Sequence, residues 1–265
     1  MVMIKSVFGK TILDSRKDKT IEVHIKTNAG SFYASAPNGK SKGKKEARSY
    51  KKDIEGDIST LKKFSDYFSA ENIDKFDDLK RIEDILDGNV GADTFVAFEY
   101  AILKALAKEK KKEIWQLINP KARKLPRLLG NCVGGGKHSH SDRKPDFQEF
   151  LLVPKTKSVK KAFELNKKLR EKIKLELKIK DNKFKGEISD ENAWQTQLNE
   201  KQVLDIISDF GVSTGLDIAA SGFYKRKKYN YKNPLLKRTP EEQFVYVSNL
   251  IKNTGTIICR SDCRL

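Results

Sequence analysis

No apolar run in this chain approaches the ~20 residues that cross a bilayer. Its opening, MVMIKSVFGK, also lacks the basic flank, longer apolar stretch and small-residue cleavage site of a secretory leader. Together these absences argue against a helical membrane protein and against secretion, and point to a soluble, cytoplasmic one. Cysteine is scarce as well: Cys132, Cys259 and Cys263 are odd in number and make no disulfide framework. The CRSDC pair could be half of a metal site, but one such pair is a weak signal and reads first as an ordinary tail. Internal repeats are missing, and so is low complexity beyond an enrichment in lysine. Acidic residues are in deficit, 36 against 54 basic ones, leaving a net charge of +18. Such an excess attracts polyanions and phosphorylated metabolites alike. Lysine is nevertheless scattered along the chain rather than clustered with stacking aromatics, which argues for a solvated basic surface and against a nucleic-acid partner.

What is present has room for two domains in 265 residues. In KTIEVHIK, Ile21, Val23 and Ile25 alternate with Glu22, His24 and Lys26, the period of a strand with one buried face. The turn TNAG leads into a partner strand, SFYASA, and the earlier KSVFGKTIL supplies a third, which predicts a small antiparallel meander. From Lys44 to about Lys112 the pattern is helical, most clearly in ADTFVAFEYAILKALAKEKKKEIWQLI. Two prolines in NPKARKLPRLLG mark a boundary, giving domains over residues 1–122 and 123–265. Beyond it strands (DFQEFLLVP, TGLDIAA, TIIC) alternate with helices (SVKKAFELNKKLREKIKLELK, EKQVLDIISDFG, TPEEQFVYVSNLIKN). That alternation predicts an α/β architecture.

Five stretches can carry chemistry. CVGGGKHSH sets three glycines before Lys137, His138 and His140, and a flexible loop, an anion cradle and a His-x-His metal pair all stay open. Gln148 and Glu149 interrupt an apolar strand, where an unpaired carboxylate would cost several kcal/mol and be pushed up in pKa. Either that strand has an exposed face or Glu149 lines a site. ISDENAWQTQL offers Asp190 and Glu191 in a loop that a solvated acidic turn would also explain. Asp217 ends a strand of small and apolar residues, the place where catalytic and metal-binding acids collect on barrel strands. PNGKSKG raises a last question, whether it is a charged turn or a loop that closes over an anion and a metal.

Taken in order, TILDSR, TIEVHI, APNGKSKGKKEA, LDGNVGADTFVAFEYAILKALA, GGGKHS, DFQEFLLVP, SDENAW and LDIAASGFY resemble the enolases, from about Ile4 to about Asn253. The resemblance implies an α+β N-terminal domain followed by a (β/α)8 TIM-type barrel. It also implies Mg²⁺-dependent dehydration of 2-phosphoglycerate to phosphoenolpyruvate in glycolysis and gluconeogenesis. Glu191 would be the general acid with Glu149 as its partner, His138 and Gln148 would line the substrate pocket with Glu149, and Asp217 would ligate the first Mg²⁺. Ser41 would ligate a second Mg²⁺ from a loop that closes over the substrate, with Gly39 and Gly43 as hinges. On a regular strand Gln148 and Glu149 face opposite ways, which makes Glu149 the better candidate. Family members pair as homodimers, which implies a second copy as partner.

The resemblance also has gaps. Residues 126–265 are far fewer than the ~250 of a complete barrel, so the expectation is an incomplete one. The family's lysine base, its other two metal carboxylates and its phosphate-holding arginine and serine all fall beyond the matching region. The barrel strand that should end in Glu-Asp-Pro reads TGTIICRSDCRL instead. The expectation is therefore a chain cut short or read out of frame after about Asn253, inactive by itself; the alternative is a non-catalytic remnant acting as a binding protein. Asn38, Lys137, Asn192 and Gly222 stand where the family has serine, serine, glycine and glutamate.

Overall fold

The alternation of Ile21, Val23 and Ile25 becomes the centre of an antiparallel sheet in the computed structural model, which describes residues 1–39, 46–69 and 71–260. Strands β1 (Val2–Leu13), β2 (Lys19–Thr27) and β3 (Gly30–Ala36) form the meander. After helix α1 (Ile54–Ser69), the short strand β4 (Asn72–Ile73) extends the sheet to the order β3-β2-β1-β4. Helices α2 (Leu79–Leu86), α3 (Ala92–Lys110) and α4 (Ile114–Ile118) complete this first unit, which ends at Lys124. Its buried core takes one face of the sheet together with Leu61, Phe68, Phe98, Ile102 and Leu106. Burying each such side chain contributes about 1.5–3 kcal/mol. His24 lies on the opposite sheet face, stacked between Phe8 at 4.7 Å and Tyr33 at 5.3 Å.

The start of α3 shows how tightly this unit is built. Buried Asp57, on α1, accepts from Gly91 N at 2.8 Å and from Thr94 Oγ1 at 2.6 Å, so one helix caps the next. A Cβ on Gly91 would stand 2.2 Å from Tyr50 Cα, which leaves room only for glycine.

In the second unit the elements run β5 (Gly130–Gly134), β6 (Glu149–Val153), α5 (Val159–Lys180), β7 (Trp194–Gln195), α6 (Glu200–Ser208) and β8 (Ser213–Asp217). They continue with β9 (Tyr224–Lys225), β10 (Lys228–Lys232), β11 (Leu235–Arg238), α7 (Pro240–Thr254) and β12 (Thr256–Arg260). Ser158, Asn199 and Thr239 cap α5, α6 and α7 through their side chains. The sheet order is β12-β8-β6-β5-β7. Among the described residues these five strands form an open sheet, an incomplete TIM-type barrel in an α/β unit.

One strand runs against the rest. β6 is antiparallel to both β5 and β8, whereas β12 is parallel to β8 and β7 to β5. The loop between β5 and β6 is short enough for a reversal, and no periodicity in the sequence records direction. The three strands β9, β10 and β11 form a small separate sheet that the alternation of long elements had also passed over. Its Tyr229 and Tyr231 are fully buried beside Phe223, and Arg238 lies over the rings of Tyr231 and Tyr246 at 4.3 and 3.6 Å.

Candidate active site

Strand register lines up one row of residues across an end of the second unit's sheet. Gln195 pairs with Gly134, Gly134 with Glu149, Glu149 with Asp217, and Asp217 with Arg260. Because paired residues project from the same sheet face, this row brings Glu149, Asp217 and Arg260 together. The reversal of β6 is what makes the beginning of that strand meet the end of β8.

The register also resolves the dilemma over Glu149. Phe150, Leu151, Leu152 and Val153 are all buried, so β6 has no solvent face, and the half-buried Glu149 at its head opens toward a site instead. Gln148 sits just before the strand, is buried, and donates its backbone N–H to Asp217 O at 3.0 Å.

The glycine-rich loop delivers the histidine. Gly135 runs so close to the incoming strand that a Cβ there would stand 2.3 Å from Phe147 O and 2.5 Å from Pro145 O. Gly136 takes a positive φ of 48°, which glycine adopts without strain. His138 follows, buried, with Nδ1 2.9 Å from Glu191 Oε2 and 3.4 Å from Glu149 Oε1. These are close approaches without hydrogen-bond alignment, and Nδ1 has no aligned partner. His140 does not join the cluster, so the His-x-His pair is not formed; its backbone N–H donates to Gln195 Oε1 at 2.8 Å.

Glu191 is held by its own loop. Ser189 Oγ accepts from Glu191 N at 3.2 Å and from Ala193 N at 3.3 Å, and Asn131 Nδ2 donates to Glu191 Oε2 at 3.2 Å. Asn192, where the resembled family has glycine, adopts φ 61°, a region asparagine tolerates. Arg170 donates to its carbonyl and side-chain oxygens at 2.8 and 3.1 Å while stacking on Trp194 at 3.9 Å. At Gly222, where that family has glutamate, nothing lies within 4 Å of where a side chain would begin.

Electrostatics follow from this geometry. Burial, then the charges of Glu191 and Asp217, push the Glu149 carboxyl up from 4.5 to about 7, against a smaller opposing pull from Arg260. The shift favours the proton on the more buried Glu149. The arrangement can therefore hold a proton on Glu149 near neutral pH, beside Glu191 and His138.

The fit to a metal is less good. His138, Glu149 and Glu191 could present one donor atom each within 4.8 Å of one another. A set with one imidazole suits a borderline ion better than Mg²⁺, which prefers oxygen donors in octahedral array. Asp217 Oδ1 accepts from Ala219 N at 3.2 Å, and Oδ2 has the Arg260 guanidinium, Nη1, at 3.8 Å. A guanidinium offers only donors and carries positive charge, so these described surroundings of Asp217 fit Mg²⁺ poorly. Ser41, expected as a ligand to a second ion, lies outside the described residues, as does Gly43. No helix among the described residues is long and apolar enough to cross a membrane.

Comparison with known proteins agrees with this layout. Residues 4–118 match the family described as the enolase N-terminal domain, and residues 122–254 match the enolase C-terminal TIM barrel domain. A relative named enolase from Methanosphaera stadtmanae is 32% identical over 273 residues, covering 94% of this chain and 65% of its own length. Another from Methanocorpusculum labreanum is 32% identical over 276 residues, covering 97% of this chain and 68% of its own. A third, from Pyrobaculum aerophilum, is 29% identical over 282 residues. The chain thus spans about two-thirds of the length of these relatives.

Proposed function

The chain belongs to the enolase family, and from that premise we propose that it carries the acid half of an enolase-type dehydration of 2-phosphoglycerate to phosphoenolpyruvate. The observation that carries the reading is Glu149, whose carboxyl is pushed to about 7 by burial and by Glu191 and Asp217. Loss of water from a 2-phospho-3-hydroxy acid removes a proton from the carbon beside the carboxylate and breaks the C–O bond to the hydroxyl. The electron pair of the C–H bond becomes the new double bond, and the departing hydroxide needs a proton.

The Glu149/Glu191 pair is suited to give it. A carboxyl raised to about 7, as that of Glu149 is, keeps a proton available near neutral pH, where a lone glutamic acid would be ionised. Asn131 donates to Glu191 and His138 Nδ1 lies 2.9 Å from it, so the acid's surroundings are in place before substrate arrives. The family resemblance gives Glu191 the donor's part. Burial and neighbouring charge favour the proton on Glu149, which lies beside Glu191. The same resemblance assigns the base that takes the α-proton to a lysine outside the matched stretch. The family uses a metal ion, Mg²⁺ by resemblance, to stabilise charge on the substrate carboxylate. The described residues around Asp217 do not fit that ion, and no step here is assigned to it.

The test is phosphoenolpyruvate formation from 2-phosphoglycerate by purified protein of verified mass, against a Glu191→Gln control. Turnover well above the control supports the dehydration. Turnover equal to the control rejects it and leaves a second reading, a binding protein for the same anions, which the Arg260–Asp217 contact favours.

A further inference from the structure

We infer that Arg260 takes the part of a divalent cation at Asp217, so that this site receives a small phosphorylated carboxylate on a guanidinium, without metal. The inference rests on the enolase-type reading for the class of ligand, and is independent of whether the protein turns that ligand over.

Position is the first argument. β12, the strand for which the resemblance expects Glu-Asp-Pro, carries Arg260 in register with Asp217 on β8. Past the last pair the two strands are still tied, with Ile218 N donating to Arg260 O at 2.9 Å. The register thus sets a permanent positive charge beside Asp217.

Availability is the second. Nη1 stands 3.8 Å from Asp217 Oδ2, an ion pair too long to be a direct hydrogen bond, and the side chain is 79% exposed. The guanidinium therefore neutralises Asp217 while its N–H donors remain open to an incoming oxyanion, which it can grip by two parallel bonds.

Surrounding charge is the third. A cavity of about 230 Å³ is lined by Gln148 and Ile218, the chain neighbours of Glu149 and Asp217, together with Lys137, Lys144 and Lys232. Lys144 donates to Ser139 O at 2.6 Å, and burial and then the charge of Lys232 hold its pKa below the ordinary lysine range. Asp142 and Asp146 also line the cavity, but Asp146 already accepts from the backbone N–H groups of Lys232 and Asn233. An anion in this space would relieve the crowding of like charge.

Calorimetric titration of the whole protein with phosphoenolpyruvate, once in excess chelator and once in Mg²⁺, tests the idea. The expected result is binding of equal strength in both, weakened about tenfold in chelator by Arg260→Gln, the scale of one charge-assisted contact. Arg260→Glu should abolish binding in chelator and restore part of it with Mg²⁺. Wild-type binding that requires Mg²⁺, Arg260→Gln binding as tightly as wild type, or no binding in either buffer would each overturn the inference. The dehydration proposal fails by a different reading, turnover no greater than that of Glu191→Gln.

Discussion

In the second unit, Glu149 faces Glu191 across the end of a sheet; in the first unit, Glu99 on α3 faces Glu83 on α2. Both Glu149 and Glu99 are raised from 4.5 to about 7, each first by burial and then through a neighbouring carboxyl. The surroundings separate them. Glu149 also has Asp217, Arg260 and His138 around it at the ends of several strands, whereas Glu99 and Glu83 sit on two packed helices. A raised carboxyl alone therefore does not mark a site. What marks it is convergence from elements distant in sequence onto a place where a substrate atom could stand.

The largest expected contrast is in turnover. Wherever the protein, alone or with a partner supplying the base, forms phosphoenolpyruvate, Glu191→Gln should lower that rate by about 10²-fold or more, the scale of general acid catalysis, while Glu99→Gln should leave it unchanged. A Glu99→Gln protein that loses activity with Glu191→Gln would break the distinction, because the helix pair would then be coupled to the chemistry.

Next comes a pair of glycines. Gly135→Ala drives a Cβ to 2.3 Å from Phe147 O, and Gly91→Ala drives one to 2.2 Å from Tyr50 Cα. Each forces backbone to move and should destabilise its unit by about 1–3 kcal/mol or more, read by denaturant unfolding. Only Gly135→Ala should also lower the Glu149 titration midpoint, followed by NMR of the carboxyl, because only that loop positions His138 and the head of β6. An unchanged midpoint would mean that the loop does not hold the cluster together.

Much of this layout was legible in the residues. The alternation in β2 gave its buried face, and the dilemma over Glu149 was posed correctly because an acid in an all-apolar strand has few physical explanations. Asp217 stood out for the same reason. Arg260 did not, since its meaning lies in the register of β12 on β8, and nothing local encodes which strand a segment will join. The Glu83/Glu99 pair was equally hidden. Each glutamate lies on an amphipathic helix, where an acid reads as solvated, and only the packing of α2 on α3 makes them neighbours.

The smallest effect sharpens the comparison most, because both pairs should show it. An acid whose pKa is raised on folding leaves the folded state holding more protons than the unfolded one between 4.5 and about 7. Stability is then unpenalised below 4.5, falls as pH rises through that window, and levels off above it. Glutamine mimics the protonated acid and carries no charge at any pH. Glu99→Gln should therefore melt like wild type near the lower end of the window and above it at pH 8. The gain should be about 1 kcal/mol once solvent screening of a half-exposed pair is allowed for. Glu149→Gln should gain in the same direction while losing the proton that the reaction needs. Melting curves of the two variants across pH, set against their turnover, would then separate a carboxyl pair that costs stability without return from one whose cost is tied to chemistry. A Glu149→Gln protein no more stable than wild type at pH 8 would show that Arg260 and His138 already offset the crowding there, and that the site is electrostatically balanced in the folded chain.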